Sequence, residues 1–447
     1  MNFYDRKDEL KILGQLDSQA QKSGKMTVIT GRRRVGKTLL ALYFSKDKSY
    51  LYLFVSKKSE SLLCNEYLTE IKNKFDIPVI GEINHFKDVF RLLLQIAEKK
   101  KFILIIDEFQ EFYNINASVY SDIQNLWDQY KKKVRLHVIF IGSVYSLMLK
   151  IFENSKEPLF GRADRNLYIK PFKPEIIKEI LIDYNVYNTQ SLFVTYILTG
   201  GMPKYLEILA DNKKFTKDEI FDFILQKDSP FLFEGKNLLI EELGKEYGTY
   251  FSILEFLSTS KTSRNEIESL IGKNIGGYLD RLENNYDLIS KVKPFDAKKS
   301  GRLQKYRIND NFLNFWFRFI HRNRSAVETE SFSYIKKILE RDFMTFSGLY
   351  LEKIFREIIA ETHDYNRIGN YWEKGNLNEI DIVAVNDLEK KMLIAEVKIN
   401  SDKINIEALK KKSKKLIKSY NTYHIKYIGL SLENLDNFSM IANNGWH

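Results

Sequence analysis

The sequence predicts an α/β protein. It begins with a parallel sheet around a phosphate-binding loop, then runs through a helical segment and a helix-and-hairpin unit to a second, smaller α/β domain. Three observations predict this. Gly31-Arg32-Arg33-Arg34-Val35-Gly36-Lys37-Thr38 stands between a β-branched apolar run and a run of helical spacing. Apolar runs suited to strands buried on both faces alternate with helices, and one of them ends in Ile106-Asp107-Glu108. Near the C-terminus, two successive strand-like runs carry first Asp381, then Glu396 and Lys398.

The chain has 447 residues, room for roughly three domains of ~150 residues each. A hydrophobic content of 44% supports proper cores and excludes a disordered chain. With 70 basic and 59 acidic residues the net charge is +11, which permits contact with nucleic acid. One cysteine, Cys64, excludes an internal disulfide framework and suggests a reducing compartment. Six scattered histidines suggest no metal cluster. Residues 1–13 are charged throughout and lack the apolar stretch of a signal peptide, and no run reaches the ~18 apolar residues of a membrane span. The expectation is a cytoplasmic chain with no membrane segment. Changes of pattern divide it into segments 1–171, 172–243, 244–325 and 326–447.

The first segment opens with a helix carrying Leu10, Leu13 and Leu16 on one side. Residues 26–30 read as a strand and residues 39–44 as a helix, so the loop between them has the strand–loop–helix setting a phosphate loop needs. Gly31 and Gly36 let successive N–H groups point at one spot, and Lys37 adds a mobile positive charge there. The Thr38 hydroxyl can hold Mg²⁺, and the helix start offers N–H groups and a favourable dipole. A nucleoside triphosphate is the natural guest. Its candidate contacts are Gly31, Arg34, Val35, Gly36, Lys37, Thr38 and Leu39; the loop arginines can equally be solvated charges or face a neighbouring subunit.

Residues 49–55 have strand composition, and 62–71 and 86–96 read as helices. The apolar run 102–106 brings Asp107 to the carboxyl end of the sheet, where ligands bind in open α/β folds. Asp107 can hold Mg²⁺ and Glu108 can polarise the attacking water. A further strand, 136–141, ends at Gly142-Ser143; Ser143 is either a sensor of the γ-phosphate or an ordinary turn residue. Arg162, before the strand 166–169, either reaches the γ-phosphate of its own or a neighbouring copy or makes a surface ion pair.

From 174 to about 242 strand signals stop and four helices follow, a helical lid. Thr199-Gly200-Gly201-Met202-Pro203 breaks two of them, and Pro203 suits a first helical turn. Residues 247–257, 264–271 and 275–284 read as helices, with strands 288–294 and 304–308 flanking a basic turn that carries Lys298, Lys299 and Arg302. Three helices and a basic hairpin suggest a winged helix, which contacts either DNA or protein. The aromatic stretch 311–321 reads as packing.

In the last segment a helix over 349–359 carries Glu352, a strand over 379–385 carries Asp381, and a strand over 391–399 carries Glu396 and Lys398 on one face. Glu352, Asp381 and Glu396 can hold Mg²⁺ beside a water and a phosphodiester, with Lys398 stabilising the developing charge. Asp followed by Glu-x-Lys on the next strand is the pattern of PD-(D/E)XK nucleases, in an α-β-β-α-β order completed by a Lys-rich helix, 404–420. Charged residues on an edge strand and a solvated helix face are the plainer alternatives.

Taken together, these residues resemble the archaeal-type ATPase family, P-loop NTPases of the STAND branch near AAA+, with the C-terminal domain commonly attached to them. The resemblance runs through Phe3-Tyr4-Asp5-Arg6, Gly31 to Thr38, Ile106-Asp107-Glu108, Gly142-Ser143, Pro158 to Arg162 and Gly200-Gly201-Met202-Pro203. It continues through Phe346 to Glu352, Glu379-Ile380-Asp381 and Glu396-Val397-Lys398. It implies ATP, Arg6 near the base, Lys37 and Thr38 on phosphate and Mg²⁺, Glu108 as the hydrolytic residue and a nuclease-like fold for the tail. Two departures stand out: the loop is rich in arginine, and no proline precedes Asp381. Two functional readings follow. One is an ATPase that controls an Mg²⁺-dependent nuclease acting on DNA. The other is a regulatory ATPase whose tail docks on DNA or protein, including a second copy of the chain.

Overall fold

The computed structural model describes residues 1–77, 81–143, 145–243, 247–297 and 303–436, and of residues 145, 146, 241 and 242 the backbone alone. The chain forms two compact units. One comprises Phe3–Pro171 with Asn284–Tyr286, the other Met1–Asn2, Phe172–Glu283 and Asp287–His447.

The first unit is built on five strands: β1 (Lys25–Gly31), β2 (Tyr50–Phe54), β3 (Phe102–Asp107), β4 (Leu136–Gly142) and β5 (Arg165–Ile169). They pair in parallel in the order β2-β3-β4-β1-β5. Every residue of β3 and β4 is buried, as expected of strands covered on both faces. The helix Phe86–Lys99 shows how the cover forms: Phe86, Val89, Phe90, Leu93, Leu94 and Ala97 repeat at helical spacing and are all buried. The helix Ser118–Tyr130 has the same spacing in Val119, Tyr120, Ile123, Leu126 and Trp127, a signal the sequence reading passed over.

The second unit begins with helices and, among the described residues, has no strand before β6. Gly201 fixes the first break: its φ is +76°, and a Cβ there would lie 1.9 Å from the Phe172 carbonyl oxygen. Helices Tyr247–Ser258, Arg264–Ile271 and Gly276–Asp280 precede an antiparallel hairpin of β6 (Ile289–Val292) and β7 (Lys305–Ile308). Lys298, Lys299 and Arg302 of the expected basic turn lie outside the described residues. The aromatic stretch is core: Phe312, Leu313, Phe315, Phe317 and Phe319 are buried, and Trp316 Nε1 donates to the Leu232 carbonyl at 2.9 Å.

A helix of 30 residues, Phe332–Glu361, leads into β8 (Arg367–Tyr371), β9 (Ile380–Asn386) and β10 (Lys391–Val397), then the helix Ile406–Ile417 and β11 (His424–Leu430). The sheet order is β11-β10-β9-β8, parallel only between β10 and β11. The expected helix over 349–359 is thus the end of a much longer one, and the expected order lacked β8. That strand is short, contains Gly369 and is interrupted by an irregularity between Gly369 and Tyr371, so it carries little strand signal. Among the described residues no helix is long and apolar enough to cross a membrane.

His137 on β4 is fully buried, with Nε2 2.8 Å from the Thr27 hydroxyl of β1. Burial pushes its pKa down to about 4, against 6.5 ordinarily. The folded protein keeps the ring neutral while the unfolded chain protonates it. The stability this represents is complete above pH ~6.5 and is lost as pH falls towards 4. At about pH 4.5 the loss reaches roughly 2.5 kcal/mol. In urea denaturation, His137→Gln should shrink the difference in stability between neutral and acid pH by about that amount; an unaltered difference would place the acid sensitivity elsewhere.

Candidate functional site

The loop after β1 is shaped by two glycines with different reasons to be there. Gly31 has φ +146°, and a Cβ on it would meet the Ile169 carbonyl oxygen of β5 at 2.5 Å. Gly36 has φ +89° with open space around it, so its need is conformational alone. Arg34 also takes a left-handed conformation, φ 70°. The helix Lys37–Ser45 starts directly after Gly36. Lys37 is buried, and its Nζ donates to the carbonyls of Gly31 at 2.9 Å and Arg32 at 3.0 Å. The ammonium therefore sits inside the bend of the loop, against two of its carbonyl oxygens.

Sheet order brings the second motif to the same place. Asp107 ends β3, and its Oδ2 accepts the Thr38 hydroxyl at 2.6 Å and the Tyr52 hydroxyl at 3.0 Å; its Oδ1 accepts the Glu108 N–H at 2.8 Å. Burial raises the Asp107 pKa, aided by the charge of Glu108 and opposed by these hydrogen bonds. Glu108 leaves the strand with φ +53°, a conformation uncommon outside glycine. Its Oε2 accepts hydrogen bonds from Ser143, at 2.8 Å, and from Gln110. Ser143 follows β4, the strand between β1 and β3, which explains how it reaches Glu108. Sequence reasoning missed Tyr52 and Gln110. Neither belongs to a motif, and only strand pairing places Tyr52 next to Asp107.

Three other expected contacts take particular positions. Arg6 is buried under the loop, donating to the carbonyls of Lys170 at 2.8 Å and Val35 at 3.4 Å, with Glu9 3.5 Å away. Burial lowers its pKa although two carboxylates oppose the shift. In this position it ties the loop to the end of β5. Arg162 pairs with Asp128 at 3.0 Å and donates to the Phe160 carbonyl. Leu39 is 58% exposed on the loop helix, one turn from Tyr43, whose ring stacks on Phe3.

In the second unit Ala395 of β10 pairs with Ile382 of β9, so Asp381 and Glu396 stand side by side at the next position. Asp381 Oδ2 accepts the Val397 N–H at 2.7 Å and lies 3.3 Å from Lys398 Nζ, which is 3.8 Å from Glu396. Glu352, from the long helix, joins them: Asn370 of β8 donates to Glu352 at 3.4 Å and to the Asp381 carbonyl at 2.7 Å. Burial first, then the charge of Asp381, raises the Glu352 pKa, and Arg356 at 3.6 Å opposes this. Glu396 differs. Burial would raise its pKa, but the Asn405 N–H at 2.8 Å, Lys412 at 3.2 Å and Lys398 pull it lower. Both of its oxygens are therefore engaged. Among the described residues, no group of three or more His, Cys, Asp and Glu side chains is arranged to hold a metal ion. Asn370 and Arg356 lie outside any motif and could not have been assigned from sequence, whereas Lys412 belongs to the Lys-rich helix expected to track a phosphate backbone and is instead paired with Glu396.

A family of ATPase domains predominantly from Archaea matches residues 3–209, and a family described as "Archaea bacterial proteins of unknown function" matches residues 316–417. An uncharacterized protein of Methanocaldococcus jannaschii is 30% identical over 406 residues, covering 89% of this chain and 87% of that protein. Among solved structures, a Walker-type ATPase of Pyrococcus abyssi is similar with a TM-score of 0.53 and 19% identity, over 70% of this chain and 96% of that one. The ORC2 protein of Aeropyrum pernix is similar with a TM-score of 0.47 and 13% identity, over 73% and 96%.

The two loop glycines should respond differently to substitution. Gly31→Ala drives a Cβ into a backbone oxygen and should cost on the order of 3 kcal/mol, whereas Gly36→Ala should cost only the ~1 kcal/mol of a left-handed residue. Chemical denaturation measures both. Equal losses would mean that the approach of Ile169 does not fix Gly31.

Proposed function

The chain belongs to the archaeal-type ATPase family, and on that premise we propose that its first unit binds and hydrolyses ATP with Mg²⁺, and that the nucleotide controls a DNA phosphodiesterase site of PD-(D/E)XK type in the second. The observation that carries the first half is the Thr38–Asp107 hydrogen bond at 2.6 Å. It unites the loop hydroxyl with the strand carboxylate, two hard oxygen donors of the kind Mg²⁺ takes alongside water and phosphate oxygens. The metal would neutralise the charge of the transferring phosphoryl group.

The chain's own groups have defined tasks in this reading. Lys37, held by two neutral carbonyls, exchanges them for charged phosphate oxygens, which are stronger acceptors. Glu108, aimed by Ser143 and Gln110, orients the water that attacks the γ-phosphorus as the bond to the β-phosphate oxygen breaks, giving ADP and phosphate. Arg6 keeps the loop against β5.

In the second unit Glu352 and Asp381 form the metal-facing pair. Two carboxylates of like charge, one raised by burial, favour a divalent cation, and Mg²⁺ commonly uses one or two carboxylates with water and a substrate phosphate. Lys398 stands beside Asp381, positioned to stabilise charge on a phosphodiester. The helices 247–258, 264–271 and 276–280 with the hairpin β6–β7 are read as a winged helix that contacts DNA. A second reading, a regulatory ATPase whose tail only docks on DNA or protein, is favoured by one observation: Glu396 is spent on Lys412 and the Asn405 N–H.

Cleavage of plasmid and single-stranded DNA with Mg²⁺ or Mn²⁺, with and without ATP, separates the two. The first reading expects cutting by the wild type, its loss in Asp381→Ala and a rate that responds to ATP. ATP hydrolysis without cutting by either protein would leave the docking reading.

A further inference from the structure

A cavity of about 730 Å³ lies in the second unit among the hairpin, the aromatic helix, the long helix and β8. Its volume is within the ~300–1,000 Å³ of ligand pockets. Seven basic side chains line it against one carboxylate, Glu379. The whole chain has 70 basic to 59 acidic residues, so the cavity concentrates positive charge far beyond composition.

Most of these cations lean on a neighbour. Lys305 meets Glu379 at 3.2 Å, Lys353 donates to Asn311 at 2.7 Å, and Arg356 donates to Asn370 at 2.7 Å. Arg307 of β7 is different: half-buried, its side chain makes no hydrogen bond or ion pair among the described residues. It is close enough for its charge to act on Glu352 and Arg356. Asn314, only 8% exposed, donates to the Tyr350 hydroxyl at 2.8 Å and leaves its Oδ1 without a partner among the described residues. A half-buried guanidinium and a buried amide oxygen both lose hydration that a ligand with anionic oxygens and N–H or O–H donors would replace. Arg356 and Asn370 belong both to the cavity wall and to the surroundings of Glu352, so the cavity adjoins the carboxylate pair.

We propose that this cavity binds a single strand of nucleic acid, Arg307 holding a phosphodiester and Asn314 accepting from a base or sugar, and presents the strand to Glu352 and Asp381. The inference rests on the phosphodiesterase reading of the second unit. Several cations around one space suit successive phosphates rather than one anion, and a cavity of this size admits a few nucleotides and excludes a duplex.

Fluorescence anisotropy of the full-length protein with a short labelled oligothymidylate in EDTA tests it, across a range of salt. Arg307→Ala should weaken strand binding roughly five- to tenfold and lower the salt slope by about one, and Lys293→Ala should act in the same direction. Blunt duplex should bind without sensitivity to Arg307→Ala. Strand affinity unchanged in both variants overturns the inference, as does full displacement by a free dinucleotide at equal affinity, which would assign the cavity to a soluble ligand. Cutting assays keep the two ideas apart. Strand binding that depends on Arg307, without metal-dependent cutting by wild type, upholds the cavity as a strand site and overturns the phosphodiesterase. Cutting that is unchanged in both variants does the reverse.

Discussion

The hydrogen bond between the Thr38 hydroxyl and the Asp107 carboxylate, 2.6 Å long, is the interaction that joins the two motifs of the first unit's candidate site. The two residues are 69 positions apart: Thr38 opens the helix that follows β1, Asp107 ends β3, and β4 runs between those two strands. Only the parallel order β2-β3-β4-β1-β5 brings the loop and the carboxylate to one end of the sheet. Consequences follow along the same edge. Ser143, emerging from the intervening strand, reaches Glu108; Gly31 lets β1 pass within contact of Ile169; and Arg6 closes the other side. Burial of Asp107 raises its pKa, and the Thr38 hydroxyl, the Glu108 N–H and the Tyr52 hydroxyl are what keep its charge tolerable at that position.

The second unit handles its charges differently. Its buried aromatic stretch supplies the wall from which Asn314 and Arg318 face the cavity, while the long helix supplies Glu352, Lys353 and Arg356 within little more than one turn. The carboxylates are not equivalent there. Glu352 is held in a site that disfavours its charge, whereas Glu396 is stabilised by a backbone N–H and two lysines. That asymmetry separates a carboxylate whose charge is disfavoured by burial from one already satisfied.

Legibility followed the range of the physical signal. The phosphate loop, the acidic end of β3 and the parallel sheet were readable because each rests on local spacing: glycines where the backbone must turn, apolar runs where both faces are buried. The helix Ser118–Tyr130 carried an equally plain spacing that was overlooked. β8 was not readable, since Gly369 and an irregular register remove the alternation that marks a strand. In the tail, Asp381, Glu396 and Lys398 were found by alternation, but the commitment of Glu396 to Lys412 depends on a helix packed across the sheet. The cavity was beyond sequence altogether, because Arg307, Asn314 and Asn370 come from separate elements and form no motif.

The central claim is that Thr38 and Asp107 together form the Mg²⁺ end of an ATP site. Calorimetric titration of ATP into wild type and Asp107→Asn, each with Mg²⁺ and with EDTA, tests it most directly. The account predicts that wild type gains affinity from Mg²⁺ and that Asp107→Asn binds ATP in EDTA much as wild type does but gains little from the metal. An equal Mg²⁺ gain in both proteins would contradict it.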